Sequence, residues 1–172
     1  MIDKAGMSTG IKQEDVSPAA DRELVVSRIV RAPAALAFNA WIEPTQLEQW
    51  WGPPGYETQV HEMTVEPDGK TRLVMRDRNG FEYPTTLVYA GIEAACSLSY
   101  KQSDGSEPDN DAATFGVAVR FEGEGPASTR VTLYMKFKTA AVRDRAAREN
   151  ESSACANDML GRLDRFLVAF LP

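Results

Sequence analysis

Few side chains in this 172-residue sequence are suited to chemistry, and their spacing narrows the field further. One imidazole, His61, and two distant thiols, Cys96 and Cys155, form no zinc-binding pattern, so neither a metal nor a cofactor is expected. By residue type His61 is a candidate acid or base, but on a strand of open parity it reads first as an ordinary strand residue. Cys96 and Cys155 are expected to be buried free thiols, since neither has a nearby base to activate it. Asp68-Gly69-Lys70-Thr71 imitates the end of a phosphate loop, yet Val65 stands where that motif needs glycine. Asn150-Glu151-Ser152 formally fits a glycosylation acceptor, but no secretory signal is visible ahead of it. The carboxylates Glu62, Glu82 and Glu93 and the cations Arg72 and Arg76 fall on predicted strands; most are expected to be solvated, and one facing inward would imply a ligand contact or a shifted pKa. The adjacent indoles differ: Trp50 reads as a helix anchor, while Trp51 is evenly placed between anchor and ligand contact.

Composition excludes further classes. Nineteen Lys plus Arg against twenty-five Asp plus Glu leave a net charge of -6, which opposes nucleic-acid binding. A hydrophobic fraction of 43% with 26% charge is ordinary globular composition, and no apolar run approaches the roughly 20 residues of a membrane helix. A chain of this length can bury a full core without disulfides. A cytoplasmic protein is expected, with residues 1–20 as a flexible extension and 21–172 as a single domain.

The elements that must position these residues follow from periodicity. The β-branched run from Glu23 to Arg31 predicts a first strand. Pro33 sits where a helix can begin, and Ala34, Phe38 and Trp41 share one helical face. Pro44 ends that helix and opens a second, whose apolar stripe is Leu47, Trp50 and Trp51. After the breaker cluster Gly52-Pro53-Pro54-Gly55, six strands are predicted: Tyr56 to Glu66, Thr71 to Arg78, Phe81 to Ile92, Ala95 to Gln102, Ala113 to Glu122 and Thr129 to Lys138. Asn79-Gly80 and Asp68-Gly69 are the hairpin signals, and the acidic stretch from Ser103 to Asp111 reads as a solvated hairpin tip. Phe115, Val117, Val119 and Phe121 alternate with polar or small residues, as do Val131, Leu133, Met135 and Phe137, so the sheet has one core face. A long terminal helix from about Thr139 carries Cys155, Met159, Leu163, Phe166 and Phe170 on the stripe that should cover this face.

Specific residues point to a family. Arg31-Ala32-Pro33, Ala37-Phe38-Asn39-Ala40-Trp41, Pro44, Leu47 and Gln49-Trp50-Trp51-Gly52-Pro53 closely resemble the entry segment of the family named for the activator of the heat-shock protein 90 ATPase. Thr129-Arg130-Val131-Thr132-Leu133 resembles its last strand, and Val142-Arg143-Asp144-Arg145-Ala146 with Leu163-Asp164-Arg165 resembles its terminal helix. The resemblance runs from about Glu23 to Phe170 and implies the α+β helix-grip fold of the START-like superfamily. That fold is an antiparallel sheet of about seven strands, in the order β-α-α-β6-α, wrapped around a long C-terminal helix. Departures occur at Glu66-Pro67-Asp68-Gly69-Lys70 and at Ala94-Ala95-Cys96-Ser97, and Met159 stands where relatives often carry Trp.

A helix across a curved sheet commonly leaves an interior space, which this resemblance makes a candidate ligand site. The expected lining is Trp51, Met75, Phe81, Tyr89, Tyr100, Phe115, Val117, Met159, Leu163 and Phe166. The implied partner is an apolar small molecule or lipid, with the chain as monomer or homodimer. A module stimulating a heat-shock protein 90 ATPase, and with it a role in stress, ranks second. A polyketide cyclase-like or aromatase-like enzyme ranks last, because no nucleophile, base and orienting group emerge together.

Overall fold

Alternation along β1 (Glu23–Val30) turns Val26 and Val30 inward and leaves Val25 and Ile29 exposed. The computed structural model describes residues 21–104, 114–149 and 152–170. The extension expected over 1–20 and most of the acidic stretch from Ser103 to Asp111 lie outside the described residues. Pro33 precedes α1 (Ala34–Ile42) as its cap rather than occupying its first position, and its carbonyl accepts the amides of Leu36 and Ala37, each at 3.1 Å. Pro44 opens α2 (Pro44–Trp50) as expected, because that position needs no amide donor.

The six following strands are β2 (Glu57–Met63), β3 (Lys70–Arg76), β4 (Glu82–Glu93), β5 (Ser97–Ser103), β6 (Phe115–Gly125) and β7 (Ser128–Lys136). They form one seven-stranded sheet in the order β1-β7-β6-β5-β4-β3-β2, and every pairing is antiparallel. The turns depart from simple two-residue hairpins. Asp68 itself takes the left-handed conformation, at φ 67°, while a side chain on Gly69 would run into the carbonyl oxygen of Thr64. Between β3 and β4 the carboxylate of Asp77 accepts the amides of Asn79 and Phe81 at 2.9 and 3.0 Å, so the turn around Asn79-Gly80 is organised by a side chain. Cys96, expected to be buried, is exposed because it sits in the tight turn between β4 and β5.

The terminal segment, read from sequence as one long helix, is described as α3 (Ala140–Glu149) and α4 (Ser152–Phe170), with residues 150 and 151 outside the described set. Leu160, Leu163 and Leu167 of α4 are fully buried, each contributing about 1.5–3 kcal/mol. Phe170, predicted on the buried stripe, is instead 54% exposed and stacks on Phe166, because it lies at the end of α4. No helix among the described residues is long and apolar enough to cross a membrane.

Two contact sets bind the helical layer to the sheet. Trp41 of α1 meets Trp50 edge-on at 4.5 Å and Phe121 of β6 at 5.7 Å, and the Trp50 indole donates to the Ala40 carbonyl at 3.1 Å. At the end of β1, Asp164 of α4 accepts the Arg31 backbone amide at 2.9 Å and its guanidinium Nη2 at 2.8 Å. Burial alone would raise the Asp164 pKa, but the bonds and charge of Arg31, helped by Arg28, hold it below the ordinary value of 3.8. The carboxylate side chain is only 11% exposed, whereas the guanidinium is open to water and adds little by itself.

Replacing Asp164 with Ala should destabilise the fold by about 1–3 kcal/mol in denaturant unfolding, because the Arg31 amide loses its acceptor. The folded-state pKa is depressed, so the stabilising contribution is complete above the ordinary value of 3.8 and is lost as pH falls through the folded value. The stability gap between wild type and Asp164→Asn should therefore shrink on acidification from about pH 6 to about pH 3, measured by the same unfolding assay.

Candidate functional site

Strand alternation turns Tyr100 and Gln102 of β5, Phe115 and Val117 of β6, and Leu133 and Met135 of β7 toward the helical layer. Across from them α4 presents Cys155, Ala156 and Met159, and Met75 of β3 closes one side. Cys155 and Ala156 are small, and a hollow of about 280 Å³ lies between this part of α4 and the sheet. Packed interiors leave few spaces larger than a water molecule, and this one is a pocket partly open to solvent.

The turn Trp51-Gly52-Pro53 forms the remaining wall. Trp51 ends α2, and Gly52 then adopts φ 96°, where a side chain would be strained and would come within 3.0 Å of the Met75 sulfur. The turn is tied to α4 by Arg162, whose Nη1 donates to the carbonyls of Trp51, Gly52 and Pro53 at 3.2, 2.9 and 3.0 Å. Thr58 also donates to the Trp51 carbonyl, at 2.8 Å. Burial, and then the charge of Arg165, lower the Arg162 pKa, although a guanidinium starts so far above neutrality that it stays charged.

Of the ten residues expected at a ligand site, the structure brings six around this hollow: Trp51, Met75, Tyr100, Phe115, Val117 and Met159. Tyr89 lies outside the lining, with its hydroxyl 2.6 Å from Thr71 Oγ1 and its ring edge-on to Tyr100. Leu163 is core packing one helical turn beyond Met159, and Phe166 pairs with Phe170. Phe81 is 64% exposed, because β4 begins only at Glu82 and leaves it in the turn. Leu133, Met135 and Cys155 carried a periodic signal in the sequence, whereas Ala156 and the Gly52-Pro53 backbone carried none for a wall.

The charged candidates stay outside. His61 and Glu93 are exposed, and Arg72 with Glu62 and Arg76 with Glu82 form exposed ion pairs. Burial pushes the Tyr100 phenol well above its ordinary value of 10.0, with partial compensation from the indole of Trp41. The Tyr100 hydroxyl and Trp41 Nε1 are both buried without a well-formed hydrogen bond. The hollow is therefore an apolar space with a neutral tyrosine in its wall, and no group of three or more potential metal ligands gathers among the described residues.

Removing the Arg162 tie should loosen the Trp51 wall. Arg162→Met should cost about 1.5–3 kcal/mol in denaturant unfolding and shift Trp fluorescence to longer wavelength as Trp51 meets water. An unchanged spectrum with unchanged stability would remove Arg162 from this role.

The family model described as Activator of Hsp90 ATPase homolog 1-like protein matches residues 31–167. No curated protein matches the chain. A crystal structure of a Nitrosomonas europaea protein is similar at 17% identity and TM-score 0.76, covering 88% of this chain and 97% of that one. A solution structure from Arthrobacter aurescens is similar at 19% identity and TM-score 0.79, covering 87% of this chain and 88% of that one. An AHSA1 protein from Silicibacter pomeroyi is similar at 20% identity and TM-score 0.68, covering 87% and 99%. At these identities the structural likeness establishes the helix-grip fold alone.

Proposed function

Because the chain belongs to the family of activator of Hsp90 ATPase homolog 1-like proteins, we propose that it binds a small apolar molecule in the hollow between α4 and the sheet. The observation that carries this reading is the hollow itself, about 280 Å³ and lined by Trp51, Met75, Phe115, Leu133, Met135 and Met159 among others. An apolar pocket of this kind, partly open to solvent, keeps apolar wall surface in contact with water, and a ligand of matching shape covers that surface. The reading takes the chain as a cytoplasmic carrier or sensor and assigns it no reaction. Proton transfer needs an acid and a base held in register, and the ionisable groups of the described lining are the thiol of Cys155 and a buried Tyr100 whose phenol is shifted upward.

The family description favours a second reading, in which the chain stimulates a heat-shock protein 90 ATPase. An ATPase assay with the chaperone of the same organism separates the two, since a carrier leaves that rate unchanged.

Met159→Trp should fill the hollow with the residue that relatives often carry there, keeping the fold while abolishing binding. Thermal shift against a set of ring compounds tests this: at a hundredfold excess over Kd, a true ligand should raise the wild-type Tm by about 5–10 °C and the variant's hardly at all. In a Cys96→Ser background the same ligand should protect Cys155 from a thiol reagent. A panel that neither shifts Tm nor protects Cys155 would count against the cavity reading.

A further inference from the structure

We propose that the occupant is an uncharged, compact molecule of one or two rings whose single hydrogen-bonding group is read by the side-chain amide of Gln102; this rests on the cavity reading above.

The charge argument comes from the wall. Among the described residues the lining contains no Asp, Glu, Lys, Arg or His. Lys101 and Lys136 neighbour Gln102 and Met135 in sequence, but strand alternation turns both to the other face of the sheet, where they are exposed. Arg162, on the following turn of α4, directs Nη1 at three backbone carbonyls. A carboxylate or ammonium entering the hollow would shed its water and meet no opposite charge, so ionised ligands are selected against.

The polar handle is equally specific. Gln102 shares the inward parity of Leu98 and Tyr100, is half-buried, and its side chain makes no hydrogen bond with the described residues. An amide offers both donor and acceptor, and a half-buried one in the wall of an apolar space has both free to turn to a ligand. Tyr100 does not compete for this role, since its hydroxyl is buried toward Trp41. Size follows by scaling: an apolar cavity of about 150 Å³ accommodates benzene, so 280 Å³ suits about eleven non-hydrogen atoms. That excludes full enclosure of a long acyl chain.

Cinnamamide, cinnamate and trans-β-methylstyrene make a matched test, since the first two differ in charge at nearly equal shape and the third lacks the polar group. Calorimetry gives the affinities, and 13C-methyl NMR of Met75, Met135 and Met159 reports whether binding is inside the hollow. Cinnamamide is expected to bind about tenfold or more tightly than cinnamate. Gln102→Leu should lower cinnamamide affinity to that of β-methylstyrene while leaving the hydrocarbon within about twofold, and Gln102→Met serves if the leucine variant loses its fold. Cinnamate binding as tightly as cinnamamide, or an amide preference that survives loss of Gln102, would overturn the proposal. If the hydrocarbon moves the methionine methyls without such discrimination, only this inference fails; if no compound moves them, the cavity reading fails with it.

Discussion

A sheet with one apolar face has to be covered, and here α4, the longest of the covering helices, leaves part of it unfilled. Leu160, Leu163 and Leu167 of α4 are buried completely against β1 and its neighbours, where the helix is anchored by Asp164. Toward its start α4 offers Cys155 and Ala156 instead, and the gap between these small residues and the inner side chains of β5, β6 and β7 becomes the hollow. The cavity is thus a consequence of side-chain volume along one helix, with large residues at one end and small ones at the other.

Holding that geometry requires the entry helices as well. The Trp41, Trp50 and Trp51 rings pack edge-on or tilted within 6.4 Å of one another, and Phe121 joins them to β6. This cluster sets where α2 ends, and so where Trp51, Gly52 and Pro53 can form a wall. Arg162 then links the wall back to α4, so the two sides of the hollow restrain each other through one guanidinium. Glu48 of α2 accepts the Val60 amide at 2.7 Å, which ties the same helix to the bulged edge strand β2.

The chemistry of the site follows from what this packing excludes. Surface charges on β2, β3 and β4 pair with one another in water, and the ionisable groups of the lining are a buried phenol and a thiol. On the proposed reading, such a space would discriminate by shape, by absence of charge and by one amide, which is a simpler specificity than that of a catalytic centre.

Much of the architecture was legible from residue order. Pro44, the Gly52-Pro53-Pro54-Gly55 break and the period-two runs of β6 and β7 mark local conformational preferences that operate before any tertiary contact forms. Those signals determined the element order and, with the resembling entry segment, the helix-grip fold. They also brought Trp51, Tyr100 and Met159 into one expected group. Tertiary structure alone decided that Phe81 faces solvent, that Leu163 is core and that Gly52, Gln102 and Ala156 complete the wall. The physical reason is that periodicity reports which face a residue occupies, whereas a void depends on how far opposing surfaces stand apart, and that distance is set by the sum of all packed volumes rather than by any local pattern.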